Sequence, residues 1–374
     1  LVSSDCVFLG ISFIWLTLLL WTTFRPSAKI IFWHAVVLFL AFTLRYNALV
    51  YPLISIAVIL LSKISLRVKF SGIGLALLLC GWFVGFTTYK YKQLTGYWQY
   101  SPFSGWQWAN NAMYAYRYVD SAERKPVDKK FQVLDNMIRE YFDSTRDTKR
   151  FPIESMMAST VYMWSPGLPL MKYRDSLFSK DTSAKELKKW ASMGPFYQEY
   201  GLHIIKKYPR HFLRYFIWPN ANKYYAPPIE FLESYNSGKV NVTRQAKTWF
   251  DYKSDKVTTR MKGSIVWVLD FYPFLSGGIN VIMLSTLIFF ALLKGWTTHK
   301  NLSKIVLIGG TIWIINAAFT ISASSAALRY QAFPLMLTII ISSLLIDWLW
   351  KVSLNTQTVE KKIESKMVQH ELSV

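Results

Sequence analysis

Two arginines stand where they could grip a phosphate. Arg45 opens Arg45-Tyr46-Asn47, a turn between two apolar stretches, and Arg329 precedes Tyr330 at the start of another. A guanidinium is a planar fork of N–H donors that matches phosphate oxygens and stays charged at any ordinary pH. Both arginines lie at a border between apolar and polar sequence, the depth at which a lipid phosphate would be presented. Arg and Tyr also anchor helices in the headgroup zone with no ligand present. Asp5 stands just ahead of an apolar run. It could pair with one arginine, meet a substrate hydroxyl, or complement the positive end of a helix.

These residues need elements to hold them, and the apolar residues supply them in blocks. The blocks are Val7–Trp21, Ile30–Leu44, Ala48–Leu61, Ser71–Thr88, Phe274–Leu293, Ile305–Ile321 and Ala332–Trp350. A membrane helix needs about 20 mostly apolar residues. The last four blocks meet that, and the first three borrow flanking Ser, Thr and aromatic residues. None carries the polar stripe of a soluble helix. The fold class expected is an all-α integral membrane protein with about seven transmembrane helices. Four lie in 1–90 and three in 265–350, with a large, mostly helical extracytoplasmic insertion at 91–264 and a cytoplasmic tail at 351–374. The insertion holds 28 Lys and Arg against 16 Asp and Glu, a net of +12. Amphipathic helices are predicted within it at Gly105–Val119, Lys129–Phe142, Lys185–Ala191 and Pro195–Lys207.

This division explains an odd composition. The 374 residues are 52% hydrophobic, yet carry a formal net charge of +21, and the mean hydropathy is only +0.20. An aromatic content of 17% excludes disorder, and two cysteines exclude a disulfide scaffold. A +21 charge first points to nucleic acid, but its distribution sets nucleic acid aside as a partner. Arg25 and Lys29, then Lys63, Arg67 and Lys69, then Lys294, Lys300 and Lys304, then Lys351, Lys361, Lys362 and Lys366 follow alternate spans. The positive-inside rule makes that shared side the cytoplasm. Asp5, Arg45 and Arg329 then share the opposite side with the insertion. Seven spans would start Leu1 outside, so at least one further span is expected upstream.

Three short stretches resemble the large membrane glycosyltransferases of the GT-C fold, especially the bacterial family-39-like and rhizobial core-glycosyltransferase-like enzymes. Ser4-Asp5-Cys6-Val7-Phe8 is similar to their Ser-Asp/Glu-x-x-Phe helix opening. Arg45-Tyr46-Asn47-Ala48-Leu49 with Pro52 resembles their Arg/Lys-x-x-Ala/Gly-Leu turn. Arg329-Tyr330 with Pro334 resembles the Arg-Tyr start of their last helix. The resemblance covers the membrane part, about half the chain. It implies transfer of a sugar from a polyprenyl-phosphate donor to a glycan or lipid acceptor on the outer face of a bacterial inner membrane, with the large domain in the periplasm or exterior. It implies a phosphate site of Arg45, Tyr46, Asn47, Arg329, Tyr330 and Asp5. It places the catalytic carboxylates on an outer loop that would precede Asp5, so the catalytic residues are unknown. It leaves a divalent metal open, because some relatives of this fold use one and others do not.

Trp106 and Trp108 stand among basic residues of the insertion and are expected to offer faces on which a sugar stacks. Asn110, Asn111 and Trp218-Pro219-Asn220 also look constrained. The five histidines (34, 203, 211, 299 and 370) show no metal-ligand spacing, and no phosphate-binding glycine loop is present. Asn280 and Asn316 are expected to hydrogen-bond between membrane helices, and Asp347 to pair near Lys351. Asp270 could line the same cavity as Arg329. Cys6 and Cys80 lie at different depths and should not pair. A flippase for a lipid-linked glycan is one alternative, although no internal repeat is visible. A non-catalytic membrane scaffold is another.

Overall fold

The structure is a computed structural model that describes residues 4–181, 183–229, 234–257 and 265–371. The side chains of Ser237, Val268, Arg329 and residues 355–371 lie outside that description, as do Ser3 and Glu230. The tail lysines Lys361, Lys362 and Lys366 are among those side chains. All seven apolar blocks form helices, and among the described residues there is no strand, only two isolated bridges. Five helices are long and apolar enough to cross a membrane, and two further apolar helices are shorter. The chain forms two compact units, Leu1–Tyr224 with Ile315–Ala326, and Tyr225–Ile314 with Ala327–Val374.

The first unit begins with α1 (Ser4–Phe24) and α2 (Ala28–Leu44), whose start Ser27 caps by accepting the Ile30 N–H. A 3-10 turn, Tyr46–Val50, leads into α3 (Tyr51–Leu61), with Pro52 near its start where a missing N–H is tolerated. Then comes α4 (Leu66–Thr95), stopped by Gly96 at φ +83°, a left-handed cap that glycine adopts freely. The helix runs past the expected border at residue 91 because Tyr and Lys continue it. Apolar attraction does not hold helices together in lipid, so polar groups and close packing must. Trp15 on α1 stacks on Tyr51 at 3.9 Å and donates to Ser55 Oγ at 3.0 Å. Ser55 meets His34 Nε2 at 3.3 Å, and Tyr51 donates to Ser12 Oγ at 3.0 Å.

The polar region folds as short helices: α5 (Pro102–Tyr116), α6 (Gln132–Ser144), α7 (Val161–Trp164), α8 (Pro169–Leu177), α9 (Glu186–Ser192), α10 (Gly194–Lys207), α11 (Pro209–Phe212) and α12 (Trp218–Tyr225). Helices form in all four stretches predicted to be amphipathic, but α5 is buried nearly all round and so is not amphipathic. A π-helical turn, Leu213–Ile217, joins α11 to α12. It sits just before Pro219, whose ring would press on the carbonyl of Tyr215 in a regular helix. Helix α5 is buried nearly all round and packs along α10. Two glycines permit that approach. A Cβ on Gly105 would run into the backbone of Gly194, and one on Gly201 into the backbone of Trp108 and Ala109. Gly201→Ala is therefore expected to cost about 1–3 kcal/mol of domain stability through overpacking. Gly10→Ala, which meets open space, should cost nothing. Thermal unfolding of the two variants checks this.

The second unit holds α13 (Arg244–Trp249), α14 (Tyr272–Leu292), α15 (Gly295–Thr298) and α17 (Leu328–Glu371). Helix α16 (Lys300–Ala323) belongs to it up to Ile314, and its last turns belong to the first unit. Phe290, Trp296 and Trp348 lock one end of α14 and α17 in edge-to-face contacts of 5.0 and 4.8 Å. Lys351 pairs with Asp347 at 2.7 Å, as its spacing predicts. Cys6 and Cys80 are free thiols.

Candidate functional site

Helices α1 and α2 run side by side, so the start of one meets the end of the other. That puts Asp5, in the first turn of α1, against Arg45, which closes α2. The two form an ion pair. Each charge also suits the helix end it occupies, an acid at an N-terminus and a base at a C-terminus. The Arg45 guanidinium carbon lies 6.0 Å from the Phe8 ring centre. Arg45 itself is extended (φ −152°, ψ 146°) and links α2 to the 3-10 turn; its carbonyl accepts the Ala48 N–H at 3.1 Å.

Tyr46 turns the other way and ties this corner to the polar region. Its ring stacks on Phe103 at 6.0 Å, and its phenol oxygen accepts a hydrogen bond from Ser101 at 2.8 Å. Tyr100 completes an aromatic collar with Tyr46, Phe42 and Phe83, each ring centre between 6.2 and 6.4 Å away. Burial, then the neighbouring Tyr46, pushes the Tyr100 phenol up to about 12, so it stays a neutral donor. The sequence does not reveal the collar, although Ser101-Pro102 is an ordinary helix-start signal that places Phe103 in the first turn of α5. Asn47 is half-buried in the 3-10 turn. Arg329 and Tyr330 lie in the first turn of α17, where Tyr330 is half-buried and the Arg329 side chain is outside the described residues.

The expected sugar platform divides. Trp106 is 0% exposed, donates its indole N–H to the Trp190 carbonyl at 2.9 Å, and is packed by Trp190 and Tyr197. It is core, and no face is open to a sugar; the helix that carries it has no solvent side to reveal that in sequence. Trp108 is half-buried.

The constrained asparagines have a structural explanation. Helix α16 ends with carbonyls that lack partners inside the helix. Asn220 donates to the carbonyls of Ile321 at 2.8 Å and Ser324 at 2.5 Å, and accepts from the Ala326 N–H at 2.7 Å. Asn111 donates to the Ala323 carbonyl at 3.3 Å, and Asn316 accepts from Tyr224 at 3.2 Å. Asn280 bonds the Tyr225 carbonyl at 2.7 Å. Neither membrane asparagine pairs with another membrane helix in these bonds; both meet the last residues of α12 instead. Asn220→Ala should cost about 1–3 kcal/mol by stranding buried groups. Amide exchange over 320–326 should rise while that of α10 does not.

Two buried carboxylates organise the polar region. Glu154 pairs with Arg117 at 2.6 Å and accepts from Tyr162 at 2.7 Å and from Tyr141. Asp135 pairs with Arg139 at 2.6 Å and accepts from Tyr200 at 3.0 Å. Burial, reinforced by these carboxylates, raises the phenols of Tyr141, Tyr162 and Tyr200 far above their ordinary range. The tyrosines are thus fixed as donors. Burial, then Lys207, lowers the His203 imidazole. Among the described residues no three His, Cys, Asp or Glu side chains gather as metal ligands. No protein-family model, curated protein or solved structure matches this chain.

Proposed function

We propose that the chain is a membrane glycosyltransferase of the GT-C kind, moving a sugar from a polyprenyl-phosphate donor to a glycan or lipid acceptor at the outer face. The observation that carries this reading is the Asp5–Arg45 pair at the end of α1 and α2, tied through Tyr46 to Ser101 and Phe103. It supports a guanidinium held in place before substrate arrives, at the border between apolar helices and a polar domain. When the bond from the anomeric carbon to the phosphate oxygen breaks, negative charge grows on the departing lipid phosphate. Arg45 stabilises that charge without reorganising. Asp5 holds the fork until the phosphate takes over. The acceptor hydroxyl loses its proton to a general base; the resemblance places that carboxylate upstream of Asp5. Arg329-Tyr330 enters on its sequence pattern alone.

In this reading α2 and the segment Tyr46–Leu61 also cross the bilayer, giving seven spans. The 17 residues of α2 rise about 25 Å, which asks for some local thinning or borrowed flanks. Residues 91–264 lie outside the cytoplasm and 351–374 inside, in a bacterial inner membrane. The test is turnover: the protein expressed from its natural reading frame, reconstituted in nanodiscs, with labelled polyprenyl-phosphate sugar. Labelled product that forms and stops forming with Arg45→Ala supports the enzyme. Movement of the lipid across the bilayer without bond cleavage would support a flippase instead. Neither activity, with unchanged growth of the Arg45→Ala strain, would leave a scaffold.

A further inference from the structure

The second unit carries an arm with no part in that proposal. Residues 240–257 form a closed loop. The Val257 N–H donates to the Val240 carbonyl and the Val242 N–H to the Asp255 carbonyl, both at 2.7 Å. Below this clasp, the Asn236 amide donates to the carbonyls of Lys239 at 2.9 Å and Asn241 at 3.0 Å. A further bridge joins Ser234 to Ile265. The loop is therefore built, and the Ile265 bridge lies seven residues before Tyr272, the start of α14, a helix of membrane length.

Its outer end is chemically distinctive. Helix α13 presents exposed Arg244 and an indole, Trp249, that is 82% exposed. With Gln245 and Thr248 they line an open concavity of about 500 Å³. Phe250 and Tyr252 follow, stacked at 5.5 Å and both exposed. Lys239, Arg244, Lys247, Lys253 and Lys256 outnumber Asp251 and Asp255. Between the loop's base and α14, Trp267 and Phe271 are exposed, and Phe274 is 81% exposed in the first turn of that helix. Large exposed aromatics usually mark a surface that is covered in use. Cations interleaved with Trp, Phe and Tyr fit one covering well: the headgroup layer of an anionic bilayer, where rings sit among headgroups and each Lys or Arg gains from the surface potential.

We propose that this loop docks on anionic phospholipid, with Arg244 and Lys247 on the headgroup phosphate and Trp249 seated beside it. The proposal rests on α14 lying in a membrane, not on glycosyl transfer. The experiment is amide exchange on the whole protein in nanodiscs of phosphatidylcholine, with or without phosphatidylglycerol. Exchange over 244–250 should slow about 5–30-fold when phosphatidylglycerol is present. R244Q/K247Q should abolish the difference and W249A should reduce it. Unchanged exchange over α5 and α10 in each variant shows that folding is intact. Equal rates in both lipids, or protection that survives R244Q/K247Q, would overturn the proposal. So would protection matched by inorganic phosphate alone, or protection that appears only on raising the protein concentration.

Discussion

Arg45→Ala is expected to lower sugar transfer by about 10²–10³-fold, the usual loss when one preorganised donor to a developing oxyanion is removed. The loss should fall on turnover more than on donor binding, because the phosphate gains charge only as the bond breaks. Arg45→Lys keeps the charge but not the planar fork, so it should recover only part of the rate. Asp5→Asn frees the guanidinium from the carboxylate that now holds it. That variant should lose about tenfold, one hydrogen bond's worth of positioning. Steady-state kinetics in nanodiscs would separate these cases. Equal rates for Arg45→Ala and the parent protein would sink the phosphate role and leave the pair as a clamp between α1 and α2.

Glu154→Ala should unfold the polar region more than any other single change to it. The carboxylate is buried and serves Arg117, Tyr141 and Tyr162 together. Removing it leaves the Arg117 charge enclosed without its counter-ion, beside the Thr145 carbonyl at 2.6 Å, the Thr145 hydroxyl at 3.3 Å and the Phe142 ring at 5.7 Å. Breaking a buried pair from one side costs about 3–5 kcal/mol. Whole domains are stable by about 5–15 kcal/mol, so the variant should sit near its threshold at growth temperature. Glu154→Gln keeps the shape and an acceptor, and should cost about 1–3 kcal/mol. Limited proteolysis and tryptophan emission on heating would rank the three proteins. A melting temperature unchanged in Glu154→Ala would mean that Arg117 reaches water and the network contributes little.

What the sequence discloses depends on how far apart the partners are. The seven apolar blocks read directly as helices because each is continuous, and Asp347 with Lys351 is a local pair. The sequence offers Asp5 as a partner for either arginine, a substrate hydroxyl or a helix end; it meets Arg45 because antiparallel neighbours bring helix ends together. Two blocks fall short of the length required for a membrane span. Block length alone therefore could not fix the number of spans. Trp106 misled because a helix buried on every side has no polar stripe to orient it. The carbonyls that Asn220 caps lie about a hundred residues further along. Nothing in the local pattern around Trp218-Pro219-Asn220 could name that partner. The Pro219 signal was visible, but the π-turn that accommodates it was not.

The two asparagine caps on α16 also bear on biogenesis. The first unit is complete only when Ile315–Ala326 joins Leu1–Tyr224, and the ribosome makes Tyr225–Ile314 in between. At ordinary elongation rates those residues take roughly 5–20 s. During that interval the Asn111 and Asn220 amides face no helix end, while α14 and the first part of α16 are still being made. The nascent domain therefore waits, part-assembled, for its final strut. A ribosome stalled before Ala326 should expose a protease-sensitive form of the polar region that only resumed synthesis through Ala326 converts to the resistant one.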